Sequence, residues 1–284
     1  MAMDGYELID SGKGMKLERF GPYVLMRPCA QAIWKPQKDD SVWAGAHTTF
    51  TRSGGLQWKN RESIPESWVI EMDGMKFGLS GTDFGHVGVF PEQRAQWQWL
   101  RRVIVGEGER RGTRMSVLNL FAYSGGSTLA AALAGAEVCH LDASSGMVAW
   151  ARENAARNGL DKAPVRWIVD DVHEFLKREL RRGRKYDAMI LDPPSFGRGR
   201  RGEVYKIDRD LPVTLEMCRG LLSERPRFVL MSCHTPGYTP LILANLLRQS
   251  PGLRGDVESG EMILAGRPDV VPLPSGAYAR WVAT

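Results

Sequence analysis

Hydrophobic and polar positions follow two different patterns along the 284 residues. In residues 1–88, short alternating runs such as Tyr23 to Met26 and Trp68 to Met72 are interrupted by Gly, Pro and Asp, which is typical of a small β unit. From residue 89 onward, apolar runs alternate with segments of helical periodicity, which predicts successive βαβ units. We therefore predict two domains, a small β-rich N-terminal domain over 1–88 and an α/β domain over 89–284.

One βα turn of the α/β part carries the first indication of a ligand. The apolar run Val117 to Leu120 leads to Tyr-Ser-Gly-Gly at 123–126, and an Ala/Leu-rich helix follows. Asp142 ends the next apolar run, about twenty residues later. Nucleotide-binding sheets place the carboxylate that binds ribose hydroxyls at this position. The alternative is an ordinary turn whose two glycines serve only close packing.

The glycine pattern of this turn restricts the class of ligand. Gly125 and Gly126 are adjacent, so the spaced glycines of a dinucleotide site are missing, and no Walker lysine follows. This argues against a dehydrogenase and for a nucleoside without a pyrophosphate. S-adenosylmethionine fits, because its ribose can bind Asp142 and its carboxylate can face the helix N-terminus.

Arg94 lies just inside a predicted helix, where a cation gains nothing from the helix dipole. We therefore predict that it binds an anionic ligand, the cofactor. The alternative is a solvated surface residue.

Acidic residues also follow the strand predicted over 165–169. The carboxyl ends of successive strands line one crevice, so an acid there can meet the adenine amino group. The candidates are Asp170 and Asp171, and we favour Asp171, although the alternation of the strand does not decide between them. Either carboxylate can also cap the helix that follows.

The most specific motif is Asp192-Pro193-Pro194 at the end of a buried strand. Two prolines fix φ and remove two donors, which leaves rigid carbonyls at the strand end, and these with a carboxylate can hold a planar base edge. Cys233 ends another strand that reaches the same crevice. It is either a small buried hydrophobe or a nucleophile, and attack requires a lowered thiol pKa.

Charge and composition add a substrate class. The net charge is +5, with 43% hydrophobic and 25% charged residues, values typical of a soluble globular protein. Arg198, Arg200 and Arg201 form a basic loop after the proline motif, so we predict phosphate contacts there, rather than a merely solvated loop. Four scattered cysteines without C-x-x-C spacing predict neither disulfides nor a metal site. The absence of a signal segment or a long apolar run predicts a cytoplasmic protein without a membrane partner.

The motifs also carry a family resemblance as an ordered set. They are Gly88 to Arg94, Val117 to Gly126, Asp142, Asn154 with Asn158 and Gly159, Asp170 and Asp171, Asp192 to Phe196, Ser232 with Cys233, and Pro274 to Tyr278. The set resembles class I S-adenosylmethionine-dependent methyltransferases, and more narrowly the bacterial 23S ribosomal RNA large-subunit 5-methylcytosine and 7-methylguanine methyltransferases. The resemblance implies a Rossmann-like sheet with helices on both faces. It implies cofactor contacts from Tyr123, Ser124, Gly125, Asp142 and Asp171, and active-site roles for Asp192, Pro193 and Cys233.

The reaction that we favour from the sequence is methylation of cytosine C5 in ribosomal RNA. C5 is not nucleophilic unaided, so a Cys233 thiolate must add to C6 first, while Asp192 holds the base edge. The alternatives are a guanine or adenine nitrogen, for which Cys233 is dispensable, a small-molecule methyltransferase, and a non-catalytic RNA-binding module.

Overall fold

The structure is a computed structural model and describes residues 5–52, 55–199, 202–249 and 254–284. The chain divides into two compact units: the described residues through Arg94 with Ile263–Ser275, and those of Ala95–Met262 with Gly276–Thr284. The first unit thus extends past the predicted boundary at residue 88 and takes in a segment from far downstream. Within this unit, Ser275 Oγ donates to Glu92 Oε1 at 2.9 Å, a contact between distant segments that periodicity does not reveal.

The first unit is built from short strands, as predicted; β3 and β4 pair in parallel, and the other strand pairs are antiparallel. A five-stranded sheet has the order β1-β2-β3-β4-β5, and β6 and β7 pair separately. Tight turns at Lys13-Gly14 and Asp73-Gly74 have positive φ at both residues, the conformation that a two-residue hairpin turn requires. The elements are β1 Tyr6–Gly12, β2 Met15–Phe20, β3 Tyr23–Pro28, α1 Asp40–Ala44, β4 Thr48–Thr51, β5 Gln57–Lys59, β6 Trp68–Met72 and β7 Met75–Leu79.

The second unit is an α/β fold around a seven-stranded sheet of order β10-β9-β8-β11-β14-β16-β15. Its helices are α2 Arg94–Arg111, whose first residue belongs to the first unit, α3 Gly126–Leu133, α4 Ser145–Arg157, α5 Val172–Arg181, α6 Ile207–Leu221 and α7 Pro240–Arg248. Its strands are β8 Ser116–Leu120, β9 Glu137–Asp142, β10 Val165–Val169, β11 Ala188–Leu191, β12 Phe196–Arg198, β13 Val204–Lys206, β14 Phe228–Cys233, β15 Gly255–Leu264 and β16 Leu273–Ala283, of which the last two residues of β15 and the first three of β16 belong to the first unit.

Helices cover both faces of this sheet, which confirms the predicted fold class. Leu118 and Leu120 of β8 pack into one apolar cluster with α5, α6 and α7. Between them Asn119 points to the other face, where its Nδ2 donates to Thr128 Oγ1 of α3 at 2.9 Å. Successive residues of a strand face opposite sides, so α3 lies on the side opposite to α5, α6 and α7.

The strand order places a crevice at the middle of the sheet. From β8 the chain runs outward through β9 and β10, then returns to β11 on the other side of β8, and β8, β9, β10, β11 and β14 are parallel. Ligands of open α/β sheets bind at the carboxyl ends of the strands where the order reverses, here between β8 and β11. Among the described residues, no helix combines the length and apolar character that a membrane span requires.

Candidate active site

The loop after β8 is held in an unusual backbone conformation. Phe121 and Tyr123 have φ of 56° and 50°, a region that costs a non-glycine residue about 1 kcal/mol or more. Two contacts hold the loop in place: Tyr123 N donates to Asp142 Oδ2 at 2.9 Å, and Asn154 Nδ2 donates to the Ser124 carbonyl at 3.0 Å. The side chains of Asp142 and Asn154 therefore stabilise this loop conformation.

The two glycines of this turn are required by close packing. A Cβ on Gly126 would lie 2.5 Å from a ring carbon of Trp97, and one on Gly125, whose φ is 94°, would lie 3.0 Å from the Ala151 Cβ. The packing explanation considered from the sequence is thus correct for the glycines. The indication of a ligand rests instead on the loop backbone and on Asp142.

Asp142 ends β9 and accepts two backbone hydrogen bonds, from Tyr123 N at 2.9 Å and from Ser144 N at 2.8 Å. Burial raises the pKa of its carboxyl group, and these two hydrogen bonds oppose that rise. Each carboxylate oxygen has a second lone pair, so each can still accept a ribose hydroxyl. The carboxylate is thus held against the loop that leads into α3, and its contact with the ribose stays a prediction.

Asp170 and Asp171 have different partners. Asp171 Oδ1 caps α5, accepting from His173 N at 2.9 Å and Glu174 N at 3.1 Å, and its other oxygen accepts no hydrogen bond from the described residues. Asp170 forms an ion pair with Arg178. The Asp170 charge is therefore neutralised within the protein, while Asp171 keeps acceptor capacity; its contact with adenine stays a prediction.

Asp192 follows β11 at the switch point. Leu191 pairs with Leu120 on one side and Met231 on the other, so Asp192 leaves the sheet between the ends of β8 and β14. Its Oδ1 lies 3.3 Å from His234 Nδ1. Pro193 is buried, which fixes the backbone that follows the carboxylate. His234 was missed from the sequence, although it directly follows Cys233 at the end of a predicted strand.

Cys233 is fully buried at the end of β14. Burial raises the pKa of its thiol, against an opposing effect of hydrogen bonds from Thr235; the Thr235 N–H donates to Sγ at 3.4 Å. The side chain is therefore a protonated thiol without solvent contact, the opposite of the exposed, acidified thiol that nucleophilic attack requires.

Two further side-chain pairs surround this part of the crevice, and neither was predicted. Ser195 Oγ and Thr235 Oγ1 are 2.7 Å apart, which joins the loop after β11 to the loop after β14. The Tyr238 hydroxyl donates to Asp208 Oδ1 at 2.7 Å, and burial raises the pKa of Tyr238 to about 12. Single Ser, Thr and Tyr residues outside any motif provide no sequence signal for such contacts.

Of the three basic residues predicted to contact phosphate, the structure describes one. Arg198 lies exposed on β12, whereas Arg200 and Arg201 lie outside the described residues. Arg209, from the same basic stretch, is bound to Asp210 by its Nε at 2.7 Å. Arg94 belongs to the first unit, where its Nε lies 4.0 Å from Asp73, so its cofactor contact stays a prediction. Within the described ranges, no cluster of three His, Cys, Asp or Glu side chains could hold a metal ion.

Comparisons with known proteins identify a family. A family model described as S-adenosylmethionine-dependent methyltransferase matches residues 44–254. The solved SAM-dependent methyltransferase from Agrobacterium tumefaciens has a TM-score of 0.91 and 39% identity, covering 99% of this chain and 91% of that one.

Two curated relatives are ribosomal RNA large subunit methyltransferases. Ribosomal RNA large subunit methyltransferase K/L from Shewanella frigidimarina is 28% identical over 243 residues, which are 78% of this chain and 32% of the relative. Methyltransferase I from Erwinia tasmaniensis is 29% identical over 215 residues, which are 68% of this chain and 52% of the relative. The chain thus spans about a third to a half of the length of these two curated relatives.

Proposed function

The chain belongs to the S-adenosylmethionine-dependent methyltransferase family, and from this membership we propose that it methylates a base of ribosomal RNA in the cytoplasm. The observation that carries the proposal is the Asp192-Pro193 corner, which leaves the sheet beside the cofactor loop, between the ends of β8 and β14. The names of the two curated relatives supply the substrate class. A small-molecule substrate and a non-catalytic RNA-binding role are the competing proposals.

The cofactor half of the site is assigned to residues after β8, β9 and β10. Asp142 binds the ribose hydroxyls, Asp171 accepts from the adenine amino group, and the N-terminus of α3 faces the cofactor carboxylate. Tyr123, Ser124 and Gly125 form the loop that covers the cofactor. When bound, S-adenosylmethionine supplies a methyl group on a positively charged sulfur, which a nucleophilic atom of the base can accept.

The base edge is assigned to Asp192 and Pro193. The Asp192 carboxylate and the Pro193 carbonyl accept hydrogen bonds from an exocyclic amino group, which orients the base. If that amino nitrogen is the target, its lone pair forms the new N–C bond while the S–C bond breaks. The surplus proton of the nitrogen then passes to Asp192, whose Oδ1 lies 3.3 Å from His234 Nδ1.

The state of Cys233 distinguishes two candidate target atoms, cytosine C5 and a base nitrogen. Methylation of cytosine C5 requires its thiolate to add to C6, followed by methylation at C5, loss of the C5 proton and elimination of the thiolate. The thiol has no exposed surface and a raised pKa, so this route needs Cys233 to become both accessible and ionised. A nitrogen target needs neither change, and we therefore favour nitrogen. The Thr235 N–H donation to Sγ is the observation that keeps cytosine C5 as a second candidate.

The test is transfer of labelled methyl from S-adenosylmethionine to ribosomal RNA from cells lacking the enzyme, with the product nucleoside identified. Wild type is compared with Cys233→Ala and with Cys218→Ala, a buried cysteine of α6 that controls for the cavity. We expect all three to form an N-methylated nucleoside.

Formation of 5-methylcytosine by wild type and Cys218→Ala, with no product from Cys233→Ala that still binds cofactor, establishes the C5 route instead. If wild type binds cofactor but modifies no ribosomal RNA, the proposed substrate class is wrong.

A further inference from the structure

The hairpin that follows the Asp-Pro-Pro motif has two unlike faces. β12 and β13 pair with Phe196 opposite Lys206, Gly197 opposite Tyr205 and Arg198 opposite Val204. Paired residues of a strand pair lie on the same face, and neighbours along a strand alternate. One face therefore carries Gly197 and Tyr205. The other, here called the outer face, carries Phe196, Arg198, Val204 and Lys206, all of them exposed.

The inner face anchors the hairpin to the body of the second unit. Tyr205 is buried, with its ring centroid 5.0 Å from that of Phe121 in the cofactor loop and 6.0 Å from that of His173. Burial raises the pKa of its hydroxyl, so Tyr205 is neutral at physiological pH. The outer face is thus held by packing that reaches the cofactor loop.

The base of the hairpin is fixed at the edge of the active site. Ser195 Oγ lies 2.7 Å from Thr235 Oγ1, and Ile207 N donates to the Ser195 carbonyl at 3.2 Å. Phe196 follows Asp192 by four residues, so the two Cα atoms are at most about 14 Å apart. A group bound on the outer face therefore lies within a few nucleotide spacings of the base edge assigned to Asp192.

The outer face combines an aromatic ring with unpaired positive charge. Phe196 is 51% exposed, and the Arg198 guanidinium lies 5.7 Å from its ring centroid. Within the described part of the chain, neither Arg198 nor Lys206 forms a side-chain ion pair. Two nearby acids have partners: Asp208 accepts from Tyr238, and Asp210 accepts from Arg209 and from the backbone N–H of Lys206.

We propose that the outer face binds an unpaired RNA nucleotide flanking the target base. Phe196 stacks on its base, and Arg198 and Lys206 contact the adjoining phosphates. Aromatic rings stack on any base, while cations follow the backbone, so this surface positions single-stranded RNA without reading its sequence. The choice of RNA as occupant rests on the proposed function, and the charge of the face supports it.

The test measures binding of a labelled twelve-nucleotide oligouridylate to the full chain by fluorescence anisotropy, beside an abasic ribose-phosphate strand of equal length. Phe196→Leu should weaken oligouridylate binding about five- to 150-fold, the range for loss of one stacked base, and leave abasic binding unchanged. Phe196→Trp should restore it. The matched control is Phe84→Leu, an exposed phenylalanine of the first unit, which should change neither.

A double variant, Arg198→Gln with Lys206→Gln, should weaken both strands. Its plot of log affinity against log salt should be shallower by about 1.4, since each single-strand phosphate contact contributes about 0.7. Cofactor affinity, measured in parallel, should be unchanged in every variant because none of these residues lies in the cofactor loop.

Three results overturn the proposal: wild type that does not bind oligouridylate, equal binding by wild type and Phe196→Leu, or an equal loss on both strands. The assay uses no methyl transfer, so it fails independently of the proposed function. If ribosomal RNA is methylated while Phe196→Leu binds normally, only the stacking surface is wrong. If Phe196→Leu selectively weakens oligouridylate while ribosomal RNA is not methylated, the surface stands and the substrate class does not.

Discussion

The two halves of the crevice differ in how their polar side chains are held. In the cofactor half, the part after β8, β9 and β10, two carboxylates accept hydrogen bonds from backbone N–H groups. In the substrate half, the part after β11 and β14, polar side chains contact other side chains. Asp142 accepts from the N–H of Tyr123 and Ser144, and Asp171 from the N–H of His173. In the substrate half the pairs are Asp192 with His234, Ser195 with Thr235, and Tyr238 with Asp208.

We relate this difference to the two ligands: the cofactor is the same in every reaction, whereas the substrate can vary. Backbone donors are fixed by the loop and helix that contain them, so the cofactor half keeps its shape whatever substrate is bound. A side-chain partner can rotate away, so a base edge can replace His234 beside Asp192 without rebuilding a loop. We infer that cofactor affinity and methyl transfer respond to substitution separately, and the predictions below test this separation.

The largest effect is expected from Asp192→Ala. We propose that this carboxylate orients the base and accepts charge, so its loss should lower kcat by about 10²- to 10³-fold, as for other preorganised electrostatic groups, with unchanged affinity for S-adenosylmethionine. Single-turnover methyl transfer to ribosomal RNA and calorimetric titration of the cofactor measure the two quantities. Asp161→Asn, at an exposed aspartate, serves as the control. A parallel loss of cofactor affinity would show that the two halves are not separable.

Asp142→Asn should produce the complementary result. A neutral amide has one acceptor oxygen in place of two charged ones, and hydrogen bonds to a charged group are worth about 1.5–3 kcal/mol, so cofactor affinity should fall on the order of a hundredfold. Binding of oligouridylate should be unchanged. A variant that loses RNA binding to the same extent would instead indicate that the loop has collapsed.

The same carboxylate gives cofactor binding a pH dependence with a definite sign. Burial raises the pKa of Asp142, so as the pH falls the group is protonated earlier than an ordinary aspartate. Its protonated form accepts ribose hydroxyls less well. Calorimetric titration at decreasing pH should show affinity declining through this raised pKa in wild type, and a weaker decline in Asp142→Asn. Equal pH profiles would remove Asp142 from the ribose site.

The cofactor half could be predicted from the sequence because strand length and turn chemistry determine it. An apolar run, a turn with adjacent glycines and an acid at the next strand end are local signals, and they placed Asp142 and the loop beside each other correctly. Asp170 and Asp171 could not be distinguished from the sequence, because their difference lies in the ion pair of Asp170 with Arg178, about two helix turns further along.

Most of the substrate half could not be predicted, for a physical reason. His234, Thr235 and Tyr238 acquire their contacts only when β14 lies beside β11, an adjacency set by the fold and not by neighbouring residues. The hairpin β12–β13 was not predicted, and its sequence indicates a basic loop. Strands of three residues are too short to show an alternation of apolar and polar positions. The downstream segment Ile263–Ser275 joins the first unit through contacts of the same long-range kind.

A smaller effect is expected from Gly126→Ala. The added Cβ would lie 2.5 Å from the Trp97 ring, and overpacking of this kind costs about 1–3 kcal/mol. Urea unfolding should show this loss, accompanied by weaker cofactor binding because the glycine begins α3.

Gly146→Ala in α4 is the matched control. The nearest atom outside the helix backbone and the adjacent residues would be 3.8 Å from the added Cβ, so the alanine should stabilise the protein by about 0.5–1 kcal/mol. If both variants behave alike, the packing of Trp97 does not constrain the turn.

The smallest effects are expected from substitutions of Asp171, which distinguish its two proposed roles as the cap of α5 and as the contact of the adenine amino group. Asp171→Ala removes the cap of α5 and should cost about 1 kcal/mol of unfolding free energy, together with some cofactor affinity. Asp171→Asn should retain the stability, since asparagine caps as well as aspartate, but still bind cofactor more weakly, because the adenine amino group then meets a neutral acceptor. Asp170→Asn should leave affinity unchanged, because the Asp170 carboxylate is already paired with Arg178. A greater loss of affinity in Asp170→Asn than in Asp171→Asn would move the adenine contact to Asp170 and make Asp171 a helix cap alone.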